Sequence, residues 1–225
     1  MVKVRFLGHA AFLIEGSRKI LIDPFLSGNP KAAAKPEELE ADLILVTHAH
    51  GDHIGDAIEI AKRTGAKVVA MYDVANYISK QAKGQVETVG MNYGPTKVEG
   101  VEIVQVPAWH SSSDGVHSVG NASGFIVRLD GRTIYHAGDT FVFSDMALFS
   151  ELYGPIDVAL LPIGGHFTMG PREAAKAVEL LKPRKVVPMH YNTWPPIAQD
   201  PEEFKRLVGN KAEVVILEPG EEIEV

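Results

Sequence analysis

Residues 42–56, DLILVTHAHGDHIGD, decide how this chain is read. The unbroken apolar run at 43–46 is what a strand covered on both faces requires. It leads without a spacer into His48, His50, Asp52, His53 and Asp56. So many titratable groups at the end of a buried strand need compensation, because an unpaired buried charge is costly. In extended backbone His48 and His50 point to the same side. Gly51 is expected to let the chain turn sharply, bringing Asp52 and His53 to the same cavity. The spacing suits two neighbouring cations, which neutral imidazoles and ionised carboxylates can hold.

Two cations need further ligands, and in an α/β chain these come from the carboxyl ends of other strands, where the crevice opens. His110 follows the run VEIVQVPAW, Asp139 follows RTIYHAG, and His190 follows KVVPM; each is the first strongly coordinating residue after an apolar segment. Around these points the pattern predicts strands at 2–7, 10–15 and 19–22, a surface loop at 27–41 and the strand at 42–46. A helix at 54–64, a strand at 67–71, a helix at 73–83 and strands at 86–89, 96–99 and 101–106 come next. Asp130-Gly131 supplies the turn of a hairpin spanning 123–138. A second αβ series comprises helices at 144–152, 171–181 (opening with Pro171) and 201–208, and strands at 157–161, 185–189 and 213–217. No sequence repeat or linker is visible.

A chain of 225 residues with 45% hydrophobic and 23% charged residues fits one globular domain, 1–225. With a net charge of −7 and scattered lysines and arginines, it lacks the footprint of a nucleic-acid binder. The N-terminus carries no apolar leader and no run approaches the ~18 residues of a membrane span, so a cytoplasmic protein without a membrane span is expected. A homo-oligomer is compatible with this composition. The absence of cysteine leaves only histidine and carboxylate to hold metal. Zinc suits such ligands best, and manganese, iron, nickel and cobalt are also accommodated by them.

Five segments, LIDP with Asp23, THAHGDH at 47–53, WH at 109–110, AGDT at 137–140 and PMHY at 188–191, together resemble the metallo-β-lactamase superfamily over nearly the whole chain. The opening FLGHAAFLIEGSRKILIDPF and the stretch MHYNTWPPI are most similar to a branch of small metal-dependent hydrolases related to sugar-acid lactonases and to an N-acyl phospholipid phosphodiesterase. The resemblance implies an α/β fold, a four-layer αββα metallo-β-lactamase sandwich with the metals at one edge of its sheets. It also implies that His48, His50 and His110 hold one divalent ion, that Asp52, His53 and His190 hold a second, and that Asp139 bridges them. Asp23 is then a carboxylate behind the ligands, fixing histidine tautomers.

The remaining candidates surround this set. His9, in the GHA shared with that branch, is expected in the pocket, and His136, three residues before Asp139, either supports the ligands or is an ordinary strand residue. His166, in the glycine-rich PIGGHFTMGP, is expected to line the pocket as a proton donor, a catalytic role alongside Asp52. Trp109, Tyr191, Asn192 and Trp194 would form a wall next to the ligands, whereas His117 and Ser111–Ser113 read as loop residues. The expected reaction is hydrolysis of a small-molecule ester or lactone by hydroxide formed between two cations, which lower the pKa of water from about 15.7 to near neutrality. A phosphodiesterase on the same site, or a metal-binding regulatory module without turnover, stays open as an alternative.

Overall fold

In a computed structural model describing residues 1–225, two seven-stranded mixed sheets lie face to face. The first contains β1 (Lys3–Gly8), β2 (Ala11–Glu15), β3 (Lys19–Ile22), β4 (Leu43–Val46), β5 (Lys67–Met71), β6 (Thr88–Met91) and β14 (Glu222–Glu224), in the order β14-β1-β2-β3-β4-β5-β6. The second contains β7 (Gly94–Val98), β8 (Val101–Pro107), β9 (Ser123–Leu129), β10 (Arg132–His136), β11 (Val158–Pro162), β12 (Lys185–Met189) and β13 (Glu213–Val214), in the order β13-β12-β11-β10-β9-β8-β7. Each sheet is an antiparallel meander that continues as parallel strands, from β3 in the first and from β10 in the second. The two halves therefore share an architecture although no repeat shows in the sequence.

Helices α1 (Gly51–Ile54), α2 (Ala57–Thr64) and α3 (Tyr72–Gln81) follow strands of the first sheet, and α4 (Met146–Tyr153), α5 (Pro171–Leu181) and α6 (Pro201–Val208) those of the second. The period of two along the central strands explains the layering. Ile20, Ile22, Leu43 and Leu45 enter the apolar core that runs between the sheets and on to α4, α5 and α6. The intervening Leu21, Ile44 and Val46 enter a separate core with Ile60 of α2 and Val74 and Ile78 of α3. Both faces of these strands are covered, so the sequence shows continuous apolar runs instead of alternation. Each such buried leucine or isoleucine contributes roughly 1.5–3 kcal/mol of transfer free energy. The result is the four-layer αββα sandwich. No helix is long and apolar enough to cross a membrane.

Several boundaries differ from the sequence reading. The helix expected over 54–64 is two helices, broken where Gly55 adopts φ 43° and ψ −124°. A side chain at Gly55 would collide with the Pro24 carbonyl oxygen. Asp56, next to the break, accepts from the backbone N–H groups of Leu26 and Ser27 at 2.9 and 2.8 Å, which ties down the loop after Asp23. The strand expected at 213–217 shrinks to Glu213–Val214, and β14 pairs with β1 at an edge the sequence reading left empty. A three-residue Glu-Ile-Glu strand is too short to signal itself by periodicity.

Candidate metal centre

The carboxyl ends of β4, β8, β10 and β12 converge on one edge of the sandwich, and the loops leaving them carry His48 to His53, His110, Asp139 and His190. One nitrogen from each of His48, His50 and His110 lies within 4.8 Å of the others, as do ligand atoms of His9, Asp52, His53 and His190, and of His48, His53 and Asp139. Asp139 stands between the groups. Its Oδ2 is 3.1 Å from His190 Nε2, 3.3 Å from His53 Nε2 and 3.5 Å from His110 Nε2.

Gly51 makes the expected turn with helical backbone. It opens the single-turn helix α1 with open space where a side chain would be, and that helical turn carries Asp52 and His53 back toward the cluster. Left-handed backbone occurs instead at non-glycine residues of the site: His9 (φ 61°), Asp23 (φ 46°), His190 (φ 53°) and Asn192 (φ 58°). Conformations of this kind cost of order 1–3 kcal/mol each and persist where the surroundings over-determine them.

Behind the cluster, Asp23 is fully buried and accepts three hydrogen bonds: Thr47 N–H at 2.8 Å, Thr47 Oγ1–H at 2.6 Å and His53 Nδ1–H at 2.7 Å. An ionised carboxylate only accepts, so His53 keeps a proton on Nδ1, and Nε2 is the nitrogen whose deprotonation would expose a lone pair. The Thr47 hydroxyl, having given its proton to Asp23, accepts from His48 Nδ1 at 3.0 Å, which leaves His48 Nε2 bare toward His50 Nδ1, 2.9 Å away. One carboxylate thereby sets the tautomers of histidines in two groups.

Charge is divided unevenly. Burial lowers the pKa of His48, His50 and His110, keeping them neutral. Burial would do the same to His190, but facing Asp139 outweighs it and holds the metal-free ring up to about 9. His53 is raised for the same reason, by Asp139 and Asp23 against burial. Asp139 is held well below the carboxylate range, its burial outweighed by His190 and His53.

The residues fit bound metal. His53 Nε2, Asp139 Oδ1 and both ring nitrogens of His190 are buried without a hydrogen-bond partner. The short approaches of His53 Nε2 and His190 Nε2 to Asp139 Oδ2 are therefore not aligned bonds. Such orphaned groups cost roughly 1–3 kcal/mol each unless something binds there, and an all-nitrogen and oxygen donor set matches divalent first-row ions.

The other candidates scatter. Buried His136 donates from Nε2 to the Ala10 carbonyl at 2.9 Å and accepts the Gly138 N–H at 3.1 Å, so it braces the turn before Asp139 and touches no ligand side chain. His166 is exposed, packed on Phe167 at 4.3 Å and without a side-chain hydrogen bond, at the same sheet edge but apart from the cluster. Trp109 is 69% exposed and stacks on Phe143 at 6.2 Å. Trp194 packs edge-on against His9 at 4.9 Å, Tyr191 leans on the core, and Asn192 accepts the Gln199 N–H at 2.9 Å. Ser112 is consumed by the Val119 carbonyl and Ala49 N–H, Ser111 lies 3.4 Å from His50, and exposed His117 stays in its loop. His9 is joined to Asp52 more closely than sequence reasoning foresaw; its sole signal was the unusual GHA beside a strand break.

A model of the β-lactamase superfamily domain matches residues 3–190. A relative from Thermococcus kodakarensis, described as a metal-dependent hydrolase, is 86% identical over 225 residues and covers 100% of both chains. Another from Pyrococcus furiosus is 80% identical over 226 residues, again covering 100% of both. The solved structure of a metallo hydrolase from Ignicoccus hospitalis superposes with a TM-score of 0.89 at 44% identity, covering 99% of this chain and 97% of that one. With the sandwich, the histidine edge and full-length relatives in agreement, the chain belongs to the β-lactamase superfamily and, within it, to the UPF0173 metal-dependent hydrolases.

Proposed function

We propose that the protein is a binuclear hydrolase acting on small esters or lactones. His48, His50 and His110 would hold one divalent ion, Asp52, His53 and His190 the other, and Asp139 would join them. The observation that carries this reading is the position of Asp139 Oδ2, within 3.1–3.5 Å of His190, His53 and His110. The bound ions, zinc first among the candidates, would supply a water acidified to near neutrality and a Lewis acid for the scissile carbonyl.

The chain's own residues divide the remaining work. Asp23 holds His53 directly, and His48 through Thr47, in the ligating tautomer. Asp52 is the most open of the three carboxylates, with its side chain 28% exposed, yet His190, His53 and His9 hold it ionised against its burial. That makes it an anchor facing the opening and a poor carrier of protons. His166, exposed and without a side-chain hydrogen bond, would exchange a proton with a leaving group.

Substrate charge is read from the surroundings. No lysine or arginine pairs with Asp23, Asp52 or Asp139; the basic side chains beside them are all histidines. At the N-terminus of α5 the Glu173 carboxylate accepts the Gly170 N–H at 3.1 Å, which puts a negative charge where an anion would approach. Highly charged substrates recruit arginine or lysine, so an ester or lactone is favoured over a phosphodiester. The test is a parallel assay of metal-replete protein on an ester and lactone panel and on bis-nitrophenyl phosphate, with and without chelator. Chelator-sensitive ester or lactone turnover is expected; phosphodiester turnover alone would overturn the substrate assignment.

A further inference from the structure

His9 lies outside the ligand sets just described, yet it is 1% exposed and makes polar contacts through both ring nitrogens. A register shift between Phe6 and Gly8 interrupts the β1–β2 pairing, and the left-handed backbone at His9 turns its ring inward, the re-aiming that bulges commonly provide. Nε2 lies 3.0 Å from Asp52 Oδ2, and Nδ1 lies 2.7 Å from Thr193 Oγ1. The His9 carbonyl accepts the His190 N–H at 2.7 Å, and the two rings are 4.0 Å apart.

Hydrogen-bond chemistry fixes the direction of this chain. Ionised Asp52 can only accept, so His9 Nε2 carries the proton; a neutral ring then has its lone pair on Nδ1, and the Thr193 hydroxyl must donate to it. A metal ligand would need the opposite arrangement, a bare Nε2. Asp52 belongs to the first sheet's half of the site, whereas Thr193 and His190 leave β12 of the second. His9 spans the seam between them.

We propose that His9 is a positioning residue that, with Thr193, holds the Asp52 carboxylate against His53 and His190, so that the second ion's site is complete only when the β1–β2 turn and the loop after β12 are docked together. This rests on the reading that Asp52, His53 and His190 share an ion. Partners that orient ligands typically change metal affinity 10–100-fold when removed.

The experiment measures zinc affinity and stoichiometry by chelator competition in the wild type, His9→Ala, Thr193→Val and Thr193→Ser, with ¹⁵N NMR of the histidine rings in the zinc-loaded wild type and circular dichroism of every variant. His9→Ala should retain one ion at wild-type affinity and bind the second about 10–100-fold more weakly. Thr193→Val should weaken the same ion to a lesser degree and Thr193→Ser should restore it; these two carry the test if His9→Ala does not fold. The His9 Nε2 should bear a proton. Unchanged affinity for the second ion in His9→Ala and Thr193→Val overturns the proposal, as does a zinc-coordinated Nε2, which would make His9 a ligand. A wild type that binds no ion would overturn the metal reading itself before any variant is compared.

Discussion

His53 Nδ1 and Asp23 Oδ2 are 2.7 Å apart, and neither side chain has any solvent exposure. Asp23 also takes both donors of Thr47, whose hydroxyl in turn receives His48. The carboxylate is therefore the common support of His53 and His48.

Replacing Asp23 by asparagine keeps the volume and removes the charge that fixes those tautomers. The expected loss of metal affinity is about 10–100-fold, read by chelator competition, with the far-ultraviolet circular dichroism unchanged. Asp23→Ala should also lower stability, since each stranded buried donor costs about 1–3 kcal/mol. Wild-type affinity in Asp23→Asn would show that the histidines are oriented by other contacts.

Metal binding should release protons. In the metal-free chain Asp139 raises His190 from its ordinary 6.5 to about 9, and His53 is raised alongside it, so both rings are protonated at pH 7 and must lose a proton to ligate. Calorimetry in buffers of different ionisation enthalpy should report release approaching about two protons per chain at neutral pH and less in alkali. The sign for stability follows from linkage. A raised histidine stabilises the metal-free fold fully below 6.5, and that contribution is lost as pH rises through about 9. The metal-free protein should accordingly melt at lower temperature at pH 9 than at pH 7 on this account, while the loaded protein gains from the same deprotonation. Binding heats that do not depend on the buffer would refute the coupling.

Two glycines give opposite expectations. A methyl group at Gly164 would strike the His190 carbonyl oxygen and come within 3.0 Å of Ile197 Cβ. Gly164→Ala should cost about 1–3 kcal/mol in thermal or denaturant unfolding and weaken the ion that His190 holds. Gly51 has open space and starts a helix, so Gly51→Ala should stay within about 0.5 kcal/mol of wild type. Equal effects of the two substitutions would contradict the placement of His190 by this close approach.

The sandwich and its histidine edge were legible because burial on both faces writes continuous apolar runs such as 43–46, and ligands directly follow the strands that place them. What stayed hidden is physical in origin. Gly51 signalled a sharp turn, and the chain makes that turn with helical backbone, which any residue can adopt. Breaking 54–64 into two helices depends on Gly55 passing close to Pro24, a tertiary contact with no local pattern. His9 and Thr193 are separated by most of the chain, so the hydrogen-bonded relay from Thr193 through His9 to Asp52 arises only when the two sheets dock. His166 is expected in the pocket from its place after a strand and Trp109 from its place beside His110, and both are exposed in the fold.

The most direct measurement is elemental analysis of protein reconstituted at neutral pH, wild type beside His110→Ala and His190→Ala. The account predicts about two first-row ions per chain in the wild type and about one in each variant, since each substitution takes a nitrogen from a different ligand group. A wild type that holds no metal, or a single ion that either substitution removes entirely, would contradict it.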